Sequence, residues 1–224
     1  MTLFVITLGF EEKFAVRMIT RHGLDRGDRL LLVTGPRTPQ SERAASFLCE
    51  FARRYYGGDV GVEVEEVRVG SDFAELVHRL HGLVASRARA GERVVFNLSG
   101  GMRVLCLAAF VAAMLLSARL PVEVELETED SSALIGVPRA VLALPRTFSL
   151  LSREKLEVLA ALAQRSRGIR ELAEELDRDE TTVRRHLQEL VEAGLVEALG
   201  RRPRGYRLTR LGELVREHLP REAG

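Results

Sequence analysis

Up to about Pro145, short β-branched runs alternate with longer amphipathic stretches, and this alternation leaves few folds open. Strand, helix, strand in repetition builds a mostly parallel sheet with helices on its faces. Leu3 to Thr7 reads as a compact apolar strand, and a helix with Phe14, Met18 and Ile19 on one face follows it. Arg29 to Thr34 is the next strand, stopped by Gly35 and Pro36; Ala44, Leu48, Phe51 and Tyr55 then repeat at helical spacing. Val62 to Val69 alternates apolar and acidic residues as an edge strand does, and Phe73, Leu76, Val77, Leu80 and Val84 mark a third helix, capped by Ser71 or Asp72. Arg93 to Asn97 is another buried strand. The helix after Gly101 is apolar almost all round, so it needs a second surface beyond the sheet, such as another subunit. Val122 to Leu126 and Ala140 to Leu144 complete a sheet of about six strands.

Near Pro145 the pattern changes to helix (Leu156, Leu159, Leu162), helix (Ile169, Leu172, Leu176), turn and helix (Val183, Leu187, Leu190). Two short strands, Leu195 to Leu199 and Tyr206 to Thr209, and a last helix with Leu211, Leu214 and Val215 follow. That is the order of a winged helix-turn-helix. The expected organisation is therefore an α/β domain over 1–145, a linker over 146–151 and a smaller winged helix over 152–224.

With 224 residues and 46% apolar content, the chain has material for two modest cores. Basic residues number 33 and acidic ones 32, a net charge of +1, so any anion site must be local and no polyelectrolyte tail exists. Cys49 and Cys106 sit inside apolar helical patterns and read as core thiols of a reducing compartment. The longest apolar run, Val104 to Leu116, is shorter than the roughly 20 residues of a bilayer span. A soluble cytoplasmic protein without membrane association is expected.

On the third helix of the winged domain, inward Val183, Leu187 and Leu190 leave Thr181, Thr182, Arg184, Arg185 and Gln188 outside. Arg forks onto guanine, Gln pairs with adenine, and Thr at a helix start meets phosphate. Asp179 is a plausible cap. Arg201, Arg202 and Arg204 lie between the two short strands, with Arg207 and Arg210 beyond and only Glu197 opposing them. This cluster suits backbone phosphate or a minor groove of double-stranded DNA. A solvated arginine face on a protein-docking or dimerising winged helix is the bland alternative.

In the α/β domain, Asn97-Leu98-Ser99-Gly100-Gly101-Met102-Arg103 lies where a buried strand gives way to a helix. Paired glycines turn tightly and leave amide N–H groups facing outward beside the positive helix end, and Arg103 adds a permanent charge. The other strand ends supply Thr7-Leu8-Gly9-Phe10-Glu11, Gly35-Pro36-Arg37 and Gly70-Ser71-Asp72-Phe73. The candidate ligand contacts are Thr7, Leu8, Gly9, Phe10, Gly35, Pro36, Ser71, Asp72, Asn97, Ser99, Gly100, Gly101, Met102 and Arg103. Against this stands a reading in which the glycines only close turns and Arg103 pairs with a nearby acid.

No G-x-G-x-x-G and no G-x-x-x-x-G-K-[ST] occurs, which removes the dinucleotide fingerprint and the ordinary P-loop. None of His22, His78, His81, His186 and His218 has a zinc-like spacing to another ligand type, so no metal and no bound cofactor is expected. Arg17 and His22 match the R-x-x-x-x-H spacing of HEPN-type ribonucleases, but on the first helix of a βαβ unit the match reads as chance.

These segments together resemble the CARF-domain (CRISPR-associated Rossmann fold) proteins with a C-terminal winged helix, the archaeal CRISPR-associated transcription regulators of antiviral defence. The resemblance rests on Thr7-Leu8-Gly9-Phe10, on Asn97 to Arg103 and on the winged domain from Ser152 to Leu219. It implies a homodimer whose two CARF domains bind one cyclic oligoadenylate, cyclic tetra-adenylate in first place, across the twofold axis. Thr7, Gly9 and Phe10 resemble the first ligand loop, and Ser99, Gly100, Gly101 and Arg103 the phosphate and adenine cradle. Where the family often has Thr and Lys, this chain has Ser99 and Arg103, and Arg exchanges a point charge for a fork.

The function so expected is a ligand-responsive DNA-binding regulator. Two others compete with it. One is a ring nuclease opening the same ligand, with Thr7 and Ser99 orienting and Arg103 stabilising charge, though Arg103 is no base. The other is a constitutive regulator whose first domain only dimerises.

Overall fold

The computed structural model describes residues 1–57, 60–200 and 205–218, which separate into two compact units, one ending at Pro138 and one beginning at Arg139. The first unit runs β1 (Thr2–Leu8), α1 (Lys13–His22), β2 (Arg29–Thr34), α2 (Pro39–Tyr56), β3 (Gly61–Glu66), α3 (Phe73–Arg87), β4 (Arg93–Asn97), α4 (Arg103–Leu116), β5 (Val122–Glu127) and β6 (Leu134–Gly136). Its sheet has the order β3-β2-β1-β4-β5-β6, all parallel except for β6, which pairs antiparallel to β5. The chain therefore moves outward from β1 to β3 and returns to β4, so β1 and β4 are neighbours at a topological switch point.

Continuous apolar β1, β2 and β4 follow from burial on both faces. Phe4, Ile6, Leu8, Leu30 and Leu32 point to one side, where Met18 and Ile19 of α1 and Ala44 and Leu48 of α2 cover them. Leu3, Val5, Leu31 and Val94 alternate to the other side and are equally buried, the side on which α4 packs on the sheet and α3 packs on α4. Asp72 caps α3 by accepting from the N–H groups of Ala74 and Glu75, and Thr38 and Ser41 form a capping box at α2.

Four expectations change. The sixth strand is Leu134–Gly136, whereas Ala140 to Leu144 is helical, in α5 (Arg139–Leu142) and the start of α6 (Leu144–Leu150). Asp130 and the turn it nucleates, with Ser131 at φ 59°, fold β6 back on β5, and Pro138 then favours a helix start over a strand. Residues 146–151, read as a linker, fall largely in α6. Cys49 and Cys106 are free and only half-buried. The third strand ends at Glu66 instead of Val69, although Val67 still donates to the Thr34 carbonyl at 2.8 Å.

The second unit continues with α7 (Arg153–Ala161), α8 (Ile169–Glu175), α9 (Glu180–Glu192), β7 (Val196–Leu199), β8 (Gly205–Leu208) and α10 (Arg210–His218). Its core gathers Val158, Leu159, Leu172, Val183, Leu187, Leu190, Leu195 and Val215. Strands β7 and β8 form an antiparallel hairpin. Three helices, a hairpin and a further helix are the element order of a winged helix-turn-helix. No helix among the described residues is long and apolar enough to cross a membrane.

Gly212 lies directly on the backbone of Leu195, where a Cβ would collide with the carbonyl, whereas nothing lies within 4 Å of a Cβ on Gly82 in α3. Gly212→Ala is expected to cost about 1–3 kcal/mol by overpacking. Gly82→Ala should gain about 0.5–1 kcal/mol from reduced chain entropy. Urea unfolding of both variants checks the pair.

Candidate functional site

At the switch point the loop after β1 and the loop after β4 touch backbone to backbone. A Cβ on Gly9 would stand 2.9 Å from the Gly101 nitrogen, and Gly101 has φ +91°, which side chains rarely adopt. Thr7 ties the two strands: its hydroxyl donates to the Gly100 carbonyl at 2.6 Å, and Cys106 from the first turn of α4 donates to the same oxygen at 3.0 Å. Burial, opposed in part by the Thr7 contact, pushes the Cys106 thiol above its ordinary pKa, so it stays protonated at neutral pH.

A cavity of about 600 Å³ opens over these loops, lined by Leu8, Gly9, Phe10, Gly35, Pro36, Ser99, Gly100, Gly101 and Met102 of the expected set. Glu11, Phe14, Thr38, Ser41 and Glu129 complete the lining. Thr7 and Asn97 lie beneath it, each almost wholly buried. Ser71 and Asp72 do not line it, and the Asp72 carboxylate is committed to capping α3. Arg103 is exposed at the start of α4 beside the cavity, with no ion pair among the described residues, so the alternative of pairing with a nearby acid finds no partner here. Lys13 pairs with Glu11 at 2.9 Å and sits over the Phe14 ring. The cavity wall thus offers backbone groups, three hydroxyls and two carboxylates, and the nearby cations stand outside it.

Below the floor lies a polar cluster that sequence reasoning did not assemble. Glu125 on β5 takes hydrogen bonds from Arg21 at 2.6 Å, His22 at 2.9 Å and Asn97 at 3.0 Å. Burial opposes ionisation of Glu125, but the bonds from His22, Asn97 and Arg21, with the Arg21 charge, outweigh it and hold the carboxyl below its ordinary pKa. Arg17 and Arg21 both reach Glu127, at 3.2 and 2.9 Å. The Arg17 and His22 pair is therefore occupied with β5 carboxylates. The available signal was the acidic alternation of β5 facing a basic last turn of α1.

No group of three or more His, Cys, Asp or Glu that could hold a metal occurs among the described residues.

In the second unit, Val183, Leu187 and Leu190 of α9 are buried, and Thr181, Arg184, Arg185 and Gln188 are exposed. Asp179 accepts the Thr182 N–H at 2.9 Å and its hydroxyl at 2.6 Å, and these bonds lower the Asp179 pKa. Thr182 is thus partly spent on the cap. Neither Arg184 nor Arg185 has an ion pair among the described residues. His186, weighed in the sequence only as a metal ligand, is buried on the inner side of α9. Arg201, Arg202 and Arg204 lie outside the described residues.

A six-stranded, mostly parallel sheet with glycine loops framing a cavity at its switch point, followed by a separate helical unit, defines a CARF-type Rossmann-like protein. Residues 2–138 match the Csa3 CRISPR-associated Rossmann-like domain, and residues 146–222 match the HVO_A0261 N-terminal domain. The chain belongs to the Csa3 family. It is 32% identical over 220 residues to Csa3 of Thermoproteus tenax, a CRISPR locus-related protein proposed to bind DNA, covering 98% of this chain and 97% of that one. Csa3 of Saccharolobus solfataricus, described in the same terms, is 26% identical over 204 residues, covering 90% and 82%. The fold also resembles that of Enterococcus italicus Csm6 bound to cyclic hexa-2'-fluoro-hexa-dAMP, with a TM-score of 0.51 and 10% identity. That match covers 86% of this chain and 53%, about half, of the other.

Because the folded-state pKa of Glu125 is depressed, its contribution to stability is present above the ordinary carboxylate value, about 4.3, and is lost as pH falls through the lower folded value. Glu125→Gln should cost about 1–3 kcal/mol at pH 7, and the gap from wild type should shrink below about pH 4. Urea titrations at stepped pH measure this.

Proposed function

We propose that this chain is a DNA-binding transcription regulator that responds to a cyclic oligoadenylate, cyclic tetra-adenylate in first place, bound by the β1–α1 and β4–α4 loops of two subunits. The observation that carries the reading is the glycine-framed cavity at the β1/β4 switch point in a Csa3-family chain. The Csm6 neighbour of the same fold is bound to a cyclic adenylate analogue, and the T. tenax relative carries a proposed DNA-binding role, which supports both halves.

The chemistry of the cavity suits a phosphodiester ring. Outward-facing amides of the Gly100–Gly101 turn and the start of α4 accept a diffuse negative charge without a bulky cation in the wall. Arg103 at the rim adds attraction from outside. A ring with repeated symmetry is matched by two copies of one surface, and an isologous homodimer supplies them. Leu107 and Leu115 on the outer face of α4 are 61% and 49% exposed, an apolar surface of the kind such a dimer would cover.

The unit ending at Pro138 then senses and dimerises, and the unit from Arg139 acts as a winged helix with α9 in the major groove. Thr181, Arg184, Arg185 and Gln188 are the groove readers, with Thr182 at the helix start and Arg201, Arg202 and Arg204 proposed for phosphate. A change in subunit arrangement on ligand binding alters the spacing of two α9 helices, to which half-site binding is sensitive.

Calorimetric titration with cyclic oligoadenylates of different ring size should give saturable binding at one ring per dimer. Absence of heat and of any shift in melting temperature with every ring would refute the sensor role. In a gel-shift series, Arg184→Ala with Arg185→Ala should weaken DNA binding at least about tenfold at low salt and flatten its salt dependence. Unchanged affinity would refute the assignment of α9.

A further inference from the structure

Asn97 ends β4 at full burial, one residue before the loop that lines the cavity, and does not itself reach the lining. Its carboxamide is nevertheless engaged at both ends. Nδ2 donates to Glu125 Oε1 at 3.0 Å, and Oδ1 accepts the Ser99 N–H at 3.2 Å. A carboxamide has one accepting and one donating end, so the ionised Glu125 decides which way Asn97 faces. Reversed, its NH2 would oppose the Ser99 N–H, donor against donor, in a buried place where water cannot compensate. Glu125 is itself fixed, by Arg21 and His22 at the end of α1. A second strut reaches the same loop residue: the Glu127 N–H donates to the Ser99 hydroxyl at 2.9 Å, and Arg17 and Arg21 hold the Glu127 carboxylate.

We propose that Glu125 and Asn97 are positioning residues for the ligand loop, acting through the Ser99 N–H to hold residues 98–101 in the shape that frames the cavity, with Arg21 and His22 keeping Glu125 in place. The proposal rests on the reading of that cavity as the oligoadenylate site and reassigns Asn97 from ligand contact to support. It also gives the polar residues at the end of α1 a task in binding that they perform without touching the ligand.

The test compares wild type with Asn97→Asp, Asn97→Ala and the double variant Asn97→Asp/Glu125→Gln. In Asn97→Asp two carboxylates face each other, and in Asn97→Ala the acceptor for Ser99 is gone. In the double variant carboxylate and carboxamide trade places: the new amide on β5 donates to the new carboxylate on β4 and Ser99 keeps its partner, while the oxygen that also accepted from Arg21 is lost. Hydrogen exchange of the segment 98–102, measured without ligand, should quicken at least about tenfold in each single variant, while β1 and β2 exchange as in wild type. Affinity for cyclic tetra-adenylate should fall by at least about tenfold, as expected for the loss of a hydrogen bond to a charged group. The double variant should recover at least about threefold of each loss relative to Asn97→Asp, short of wild type because the β5 amide no longer accepts from Arg21 at the same atom.

Unchanged exchange of 98–102 in the folded single variants would overturn the proposal. So would faster exchange spread evenly over the sheet, or a double variant as impaired as Asn97→Asp. Should Asn97→Asp fail to fold, Asn97→Ala, which introduces no charge, carries the same comparison. Wild type that binds no cyclic oligoadenylate, while its loop still depends on Asn97, would overturn the ligand assignment and leave the positioning of the loop standing.

Discussion

The Thr7 hydroxyl donates to the Gly100 carbonyl across β1 and β4, and the glycines on either side let the two loops meet backbone to backbone. Any side chain at Gly9 would push against Gly101, and any at Gly101 would be forced into a left-handed backbone. Because β1 and β4 are neighbours only through the reversal of strand order, this contact joins segments more than ninety residues apart. The cavity exists where it does because of that closure: two loops held apart by side chains would leave a shallow edge with no floor.

The charges near the floor are arranged so that none is stranded. Glu125 and Glu127 lie at the carboxyl end of β5, and the basic last turn of α1 meets them at hydrogen-bond distance. Removing one partner of such a pair costs more than the pair is worth, since the other charge is left in a poor solvent. The chain carries 33 basic and 32 acidic residues, and this local pairing shows where part of that balance is spent. What it leaves at the rim is Arg103, unpaired among the described residues, beside the Gly100–Gly101 turn.

The alternation of apolar runs and amphipathic helices was enough to read β1, β2 and β4, because strands buried on both faces are continuous in sequence, and β3 and β5 were legible from their apolar–acidic alternation. It failed at β6, whose three exposed residues carry no such signature, and Ala140 to Leu144 imitated a strand while obeying the helix preference of Ala and Leu after a proline. The loop Ser99 to Met102 was legible because glycine pairs mark tight turns. Phe14, Thr38, Ser41 and Glu129 were not, since each comes to the cavity only through the packing of distant elements. Asn97 shows the same limit differently: its place at the strand end was readable, but its partner is Glu125 across the β4–β5 pairing, a relation that register alone determines.

One helix joins the features on which the proposed response depends. α4 begins at the amides beside the cavity and runs unbroken from Arg103 to Leu116, 14 residues, or about 21 Å at the usual rise. Its inner face, with Leu105, Ala108, Ala109 and Ala112, is fully buried, and small residues there allow close packing on the sheet. Its outer face shows Leu107 and Leu115. A ligand drawn against the first turn acts on a rigid rod with no proline or glycine to absorb displacement. Any shift at the cavity must then appear along the same helix at the apolar face proposed for the second subunit. In the proposed dimer, coupling of ligand to subunit arrangement would run through that helix, without a separate relay between the two surfaces.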